Sequence, residues 1–271
     1  MYESLVPAVG MGGMGPLNRW VGSSAAVLKV SLLVLMVALQ TFKPLDFSSF
    51  PTVLLFATVL RLGLNVASTR VILKSGHNGT DSAGSIIEAF GEFVMSGSYA
   101  VGLFVFTILV IINLIVITKG AGRVSEVAAR FTLDAMPGKQ MAIDADLNAG
   151  IMTSDEAKAK RLDLSKEGEF YGSMDGAAKF VKGDAIAAIL ILVINIIGGL
   201  IIGTVQHDLS LNESAEKYIL LTVGDGLVAQ IPSLLLALAT ATIVTRIASD
   251  KQDLSGQISN QMGMAKAWIP V

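Results

Sequence analysis

Residues 99–118 read YAVGLFVFTILVIINLIVIT and contain no charge. A helix rises 1.5 Å per residue, so about 20 residues cross the roughly 30 Å hydrocarbon core of a bilayer. The charge-free stretch reaches back to Phe93. This segment predicts a membrane-spanning helix, and it decides the class of the fold.

Four further segments are candidate spans. Residues 185–205 (AIAAILILVINIIGGLIIGTV) carry no charge, and residues 227–245 (LVAQIPSLLLALATATIVT) are nearly as apolar. Residues 21–42 and 50–73 are weaker candidates, because they include Lys29 and Arg61 respectively. A lysine at the centre of a span costs about 2.5–3.5 kcal/mol on insertion scales.

The polar residues of segment 50–73 form a pattern. They are Thr58, Arg61, Asn65, Ser68 and Thr69, which recur at helical spacing. Such a stripe predicts a helix face turned towards protein or a water-filled cavity. Arg70 falls on the opposite face of the same helix. A structural alternative is that these arginines simply pair with carboxylates or lipid phosphates.

The composition of the whole chain agrees with a membrane protein. Of its 271 residues, 52% are hydrophobic and only 15% are charged, and the mean hydropathy is +0.65. A net charge of −2 gives no reason to expect a nucleic-acid partner. The absence of cysteine excludes disulfides, cysteine zinc sites and iron–sulfur clusters. With only two distant histidines as well, we expect no metal and no cofactor.

The basic residues predict the orientation. The loop 119–184 has lysines and arginines on both flanks, whereas each shorter loop has a single lysine. By the positive-inside rule the long loop is cytoplasmic. The expected organisation is N-terminal membrane helices in 1–118, the cytoplasmic loop domain 119–184, two membrane helices in 185–245 and a truncated cytoplasmic tail 246–271. The topology before residue 50 stays open.

The cytoplasmic loop is expected to be a small helical domain. Met136-Pro137-Gly138 predicts a break in its first helix. The pattern Thr153-x-x-Glu156 predicts a capping box that opens a charged helix running through Lys166. The loop is either a solvated connection or a gating element at the membrane face, and both readings stay open.

Two aspartates border the last two spans. Asp184 precedes segment 185–205, where it fits either a helix N-cap or a carboxylate that exchanges protons at the cytoplasmic mouth of the helix. Asp225, in Gly224-Asp225-Gly226, is predicted near the outer end of the last helix. This places the aspartates most of a bilayer apart. The intramembrane-protease motif G-x-G-D is also absent, so we expect no enzyme.

Four blocks of sequence carry a family resemblance: residues 44–73, 116–150, 170–189 and 220–232, the last two reading FYGSMDGAAKFVKGDAIAAI and LLTVGDGLVAQIP. They resemble the FHIPEP family of type III secretion export-gate proteins, in its flagellar branch, almost continuously from Pro44 to Asp250. The resemblance implies an all-α, multi-pass integral membrane helical bundle in the bacterial inner membrane. It also implies a homo-oligomeric ring that works with the export pore and switch subunits and couples the proton motive force to protein export.

The resemblance also implies roles for particular residues. Those matching Asp184, Asp225, Arg70 and Lys179 are expected in proton coupling. The cytoplasmic loop set comprises Arg123, Arg130, Asp134 and Asp175, with Lys182 standing where the family commonly has Arg. Family members have one more helix before the block 44–73, which begins with PLDF. They also continue beyond Asp250 into a domain that docks chaperones and exported proteins. We therefore expect a fragment or truncated product.

Two other functions remain open from the sequence. One is a proton-coupled secondary transporter, although the chain shows no convincing internal repeat of the kind common in that class. The other is a purely structural ring subunit whose charges only hold helices together.

Overall fold

The computed structural model describes residues 16–95 and 98–246 together with residues 256 and 259, and it describes side chains from residue 26 onward. The predicted cytoplasmic tail therefore lies almost wholly outside the described residues, as does most of the N-terminal block 1–20. Helix is the regular secondary structure throughout the described part. This confirms the all-α prediction.

The α-helices of the described chain are α1 (Pro16–Gln40), α2 (Phe50–Ser75), α3 (Ser85–Met95), α4 (Tyr99–Ile115), α5 (Gly122–Asn148), α6 (Ser154–Gln206) and α7 (Leu211–Val244). A π-helical turn, Val116–Ala121, joins α4 to α5 without interruption, and short 3₁₀ turns follow α1 and α2. Within the described residues, four helical runs are long and apolar enough to cross a membrane: Phe50–Asn78, Tyr99–Asn148, Ser154–Gln206 and Leu211–Val244. The described apolar part of α1, Ala26–Gln40, is shorter than a span.

Several predicted boundaries are wrong because the helices are longer than the apolar segments inside them. Pro137 does not end α5, which continues to Asn148. A proline removes one helical hydrogen bond, and Pro137 is exposed, so water can satisfy the freed carbonyl. The charged helix that begins at Ser154 does not stop at Lys166 but runs on through the apolar segment to Gln206. The predicted outer loop 206–224 shrinks to 207–210, because α7 begins at Leu211.

The described chain divides into two compact units. The first takes its residues from Met1–Ser31, Ala57–Leu114 and Asp184–Leu234, and the second from Leu32–Phe56, Ile115–Gly183 and Leu235–Val271.

The first unit packs around Tyr218, which is fully buried with Ile72 and Leu221. Small residues make room for its ring: a Cβ on Gly199 would lie 2.6 Å from Cδ1 of Tyr218, and one on Gly203 3.0 Å from its Cε2. These glycines therefore permit tight helix packing around Tyr218.

Two stacked histidines lie in the turns that follow α2 and α6 in the first unit. The rings of His77 and His207 lie 3.5 Å apart, centre to centre, with 9° between their planes. Lys217 donates a hydrogen bond to the backbone carbonyl of His77 (2.9 Å). Burial, with smaller contributions from the charges of His207 and Lys217, lowers the pKa of His77 from its usual 6.5. The surroundings of His77 therefore favour its neutral imidazole.

The second unit contains an antiparallel pair formed by α5 and the first half of α6. Buried Ile143, Met152, Ala157 and Leu164 form its apolar core. Thr153 caps α6: its hydroxyl accepts a bond from the Glu156 N–H (3.3 Å), while the Glu156 carboxylate accepts one from the Thr153 N–H (2.8 Å). This confirms the predicted capping box. The bonds that the backbone N–H and the hydroxyl of Thr153 donate to the Glu156 carboxylate lower the pKa of that carboxyl, the backbone bond contributing most.

Candidate functional site

A buried ion pair joins α2 to α6 in the first unit. The guanidinium of Arg61 contacts the carboxylate of Asp184, and their side chains are only 5% and 1% exposed. Asp184 is the 31st residue of α6 rather than its first, so the N-cap interpretation is wrong. Moving two charges out of water is costly, and a buried pair is stable only while each ion compensates the other.

The polar stripe of α2 faces the interior of the first unit, as predicted. Arg61 and Asn65 are 4% and 8% exposed. Ser68 and Thr69 are half-buried, and their hydroxyls donate to the backbone carbonyl of Asn65 (3.0 and 2.9 Å). Arg70 is exposed, which confirms that it lies on the other face of the helix.

Two small cavities border this stripe. The Val27 cavity, of about 70 Å³, is lined by Val27, Arg61, Asn65, Ser68, Asp225 and other residues. The Asn195 cavity, of about 60 Å³, shares Arg61, Asn65 and Asp225 and adds Asn113, Asn195 and Gln230. A cavity must have a volume of at least roughly 10–15 Å³ to hold a water molecule, and that water needs two to four polar partners. Each cavity exceeds this minimum volume and is bordered by the polar side chains of Arg61, Asn65 and Asp225.

Unsatisfied polar atoms point to the same conclusion for the Asn195 cavity. Within the described residues, the buried Oδ1 atoms of Asn113 and Asn195 and the Nη1 atom of Arg61 have no hydrogen-bond partner. All three residues line this cavity. Buried polar groups are nearly always hydrogen-bonded, with water filling in where protein does not. The cavity beside the ion pair is therefore lined by polar atoms that the described protein leaves without a partner.

Asp225 is held in the middle of α7 by its glycine neighbours. A Cβ on Gly224 would collide with the backbone carbonyl of Ile87, and one on Gly226 would lie 2.7 Å from Cζ of Phe106. Both glycines therefore permit close packing of α7 against its neighbours. Asp225 is the 15th of 34 residues in α7 and hydrogen-bonds the Ser68 side chain, so its predicted place near the outer end of the helix is wrong.

The two aspartates are also closer than predicted. Ala185, which directly follows Asp184, lines the Asn195 cavity together with Asp225. Arg61 pairs with Asp184 and borders both cavities alongside Asp225. A separation by most of a bilayer therefore does not hold. Arg61 and the two cavities that it borders connect the surroundings of the two carboxylates.

The second unit contains a separate charged site, the lysine cleft, with a volume of about 430 Å³. Its charged residues are Lys119, Arg123, Glu126, Asp175, Lys179 and Lys182. It brings together four residues of the predicted sets, namely Arg123, Asp175, Lys179 and Lys182. Lys179 donates to Asp175 (2.6 Å), and this bond is the main cause that raises the pKa of the Lys179 ammonium.

The remaining predicted residues do not join either site. Arg130 and Asp134 face each other across 3.9 Å on α5, with side chains 81% and 73% exposed. Arg70 is absent from the linings of the two cavities and of the lysine cleft. Within the described residues there is no group of three or more His, Cys, Asp or Glu side chains that could hold a metal ion.

Sequence reasoning missed two features of these sites. It placed Arg61 on a polar stripe but did not identify Asp184 as its partner, because the two are 123 positions apart. It also passed over Asn113 and treated Asn195 only as part of a tightly packed helix. A polar amide inside a charge-free span was the available signal for both asparagines.

The comparisons with known proteins agree on one family. The model of the FHIPEP family matches residues 23–270. The flagellar biosynthesis protein FlhA of Escherichia coli strain K12 is 60% identical over 235 residues, which are 87% of this chain and 34% of that protein. FlhA of Salmonella typhimurium strain LT2 matches to the same extent. A putative flagellar export/assembly protein, LfhA, of Escherichia coli O44:H18 is 57% identical over 233 residues.

The chain thus spans about a third of the length of the curated relatives it matches. No solved structure matches it.

Proposed function

The chain belongs to the FHIPEP family, and from this premise we propose that it is part of an inner-membrane export-gate subunit of a flagellar secretion apparatus that couples the proton motive force to protein export. Its flagellar role is inferred from the names of its relatives. The proposed partners are further copies of the same subunit in a ring, the pore and switch subunits of the gate, and exported flagellar proteins with their chaperones. The loop 119–184 would face the cytoplasm.

The observation that carries the coupling proposal is the buried Arg61–Asp184 pair beside two cavities of water size. An ionisable pair at membrane depth is costly and most often marks an ion or proton path. A proton that reaches Asp184 removes its negative charge, so the attraction to Arg61 is lost. The arginine then turns to another acceptor, and Asp225 lines both cavities that Arg61 borders. Proton arrival would in this way change the contacts between α2, α6 and α7.

The structural alternative uses the same pair only to hold α2 against α6. It is favoured by the near-complete burial of both side chains, which any structural pair would also show. A secondary transporter has no specific observation in its favour. The experiment must therefore distinguish a carboxylate that gains and loses a proton from one that stays ionised and only holds the helices together.

The test uses a chimera in which residues 23–245 of this chain replace the matching segment of Escherichia coli FlhA, expressed in a strain that lacks FlhA. We expect the chimera to restore swimming and flagellin secretion. Asp184→Asn should abolish both, while Asp184→Glu, which keeps a titratable carboxyl, should retain part of the activity. Asp163→Asn is the matched control, because Asp163 is on the same helix with a side chain 73% exposed.

Each outcome has a separate meaning. Failure of the unsubstituted chimera would contradict the export-gate role of this chain. Normal secretion by a stably inserted Asp184→Asn chimera would remove Asp184 from the mechanism. Restored secretion in the charge swap Arg61→Asp/Asp184→Arg, which keeps an ion pair but moves the carboxyl to α2, would favour the structural alternative.

A further inference from the structure

The lysine cleft has an excess of positive charge that the described protein does not compensate. Of its six charged residues, Arg123 bonds both oxygens of Glu126 (3.1 Å each) and Lys179 bonds Asp175 (2.6 Å). Lys119 and Lys182 have no ion pair within the part of the chain that the structure describes. Two ammonium groups therefore border one cavity without an acidic partner.

These two lysines stand where the apolar segments end. Lys119 directly follows the charge-free segment 99–118, and Lys182 precedes the apolar segment 185–205 by three residues. By the positive-inside rule both lie on the cytoplasmic side. They therefore stand at the level of the lipid headgroups, where the cytoplasmic leaflet attracts basic side chains electrostatically.

Apolar side chains are exposed beside the cleft, within the same unit. Ile115 and Val116, one turn before Lys119, are 49% and 42% exposed. Phe180, which lies between cleft residues Lys179 and Lys182 in the sequence, is 41% exposed. A ligand that satisfies both the cleft and this surface has an anionic head and a hydrocarbon tail.

We propose that the lysine cleft binds the phosphate of an anionic phospholipid of the cytoplasmic leaflet, with Lys119 and Lys182 as its cationic partners and the acyl chains against Ile115 and Val116. The volume of about 430 Å³ admits a glycerophosphate headgroup. Soluble phosphate shares the head chemistry but makes no use of the apolar side chains. An acidic peptide would use the charge but has no reason to sit at the end of a membrane span.

The experiment titrates the purified 271-residue chain, in a neutral detergent, with phosphatidylglycerol, and counts bound lipids by native mass spectrometry. The test variant is Lys119→Gln/Lys182→Gln. The control variant, Lys158→Gln/Lys160→Gln, removes the same charge from exposed positions of α6 outside the cleft. A third variant, Lys119→Arg/Lys182→Arg, keeps the charge. Each basic residue near a membrane surface contributes about tenfold or less to anionic-lipid affinity, so we expect roughly 30-fold weaker binding in the test variant.

The expected result is weakened binding in the test variant alone, with phosphatidylcholine bound poorly by all four proteins. Equal phosphatidylglycerol binding by the test and control variants would overturn the proposal. Displacement of the lipid by millimolar inorganic phosphate would reassign the site to a soluble anion, and binding of a glutamate-rich peptide in preference to lipid would reassign it to a protein partner. Circular dichroism of each variant establishes that a change in affinity is not a loss of fold. These outcomes are independent of secretion by the chimera, so the two proposals fail separately.

Discussion

The Arg61–Asp184 pair should behave as one energetic unit. With side chains 5% and 1% exposed, it belongs to the class of buried pairs in which removal of one partner costs about 3–5 kcal/mol, because an uncompensated charge is left behind. Arg61→Met and Asp184→Asn should each lower the free energy of unfolding by about that amount. The double variant leaves only a neutral amide to satisfy, at about 1–3 kcal/mol. The expected coupling energy is therefore at least about 3 kcal/mol.

The assay uses the absence of cysteine from the chain. A single cysteine in place of Val223, which is fully buried in the first unit, reports unfolding through its rate of thiol labelling in mixed micelles of rising SDS content. The unsubstituted chain, the two single variants and the double variant together form a double-mutant cycle, and all four are measured in this background. Labelling should begin at lower SDS in both single variants than in the double variant.

The comparison pair is Lys139–Glu167, which is also in direct contact (2.9 Å) but has side chains 47% and 30% exposed. Exposed pairs couple by about 0–1 kcal/mol. For this pair the reporter cysteine replaces the buried Ala157 of the second unit. If the coupling of Arg61 with Asp184 were no larger than that of the comparison pair, the argument from burial would be refuted.

Three further predictions concern a glycine contact, the protonation of a histidine and a helix cap. Gly224→Ala places a methyl group against a backbone carbonyl of α3 and should destabilise the first unit in the labelling assay. In the control Gly63→Ala the new methyl group meets nothing within 4 Å, so this change should be neutral or stabilising by up to about 1 kcal/mol. Equal effects of the two substitutions would contradict the packing. Because the folded-state pKa of His77 is lowered, the turn that contains His77 is fully stable above pH 6.5 and loses stability as the pH falls through the folded-state value. Hydrogen exchange of residues 76–83 should therefore accelerate on acidification. His207→Gln should reduce this acceleration. Thr153→Ala removes the N-cap of α6 and should cost about 1 kcal/mol, measured by thermal melting of the second unit; a melt unchanged from that of the unsubstituted chain would show that the cap contributes nothing.

The class of the fold could be predicted from the sequence because it depends on local composition. A charge-free run such as 99–118 must cross a bilayer or be buried, and the structure has a helix there. The helix ends could not be predicted in the same way. Apolar periodicity stops where a helix leaves the hydrocarbon, but backbone hydrogen bonding continues through charged residues, as it does in α6 from Ser154 to Gln206. Pro137 misled for a related reason, since an exposed helix tolerates one missing bond.

Only one side of the candidate ion pair could be predicted from the sequence. The stripe that contains Arg61 and Asn65 could be read from the spacing, because a 3.6-residue repeat fixes which residues share a face. The partner of Arg61 could not, since pairing across 123 positions depends on tertiary packing. The N-cap alternative for Asp184 was wrong for a similar reason: the sequence does not reveal that α6 extends 30 residues before it.

The energy scale of the buried pair decides whether it can serve as a proton-driven element. Moving one elementary charge across 100 mV is worth about 2.3 kcal/mol, which is of the same order as the minimum coupling of about 3 kcal/mol expected for Arg61 and Asp184. A pair of this strength is stable at rest and can be opened by one or two protons, because protonation of the carboxyl removes the attraction itself. A coupling far above 5 kcal/mol would describe a permanent brace, and a coupling near zero would leave nothing for a proton to release. The cycle therefore tests the mechanism and the packing together: only an intermediate value is compatible with an ion pair that both holds α2 to α6 and responds to the gradient.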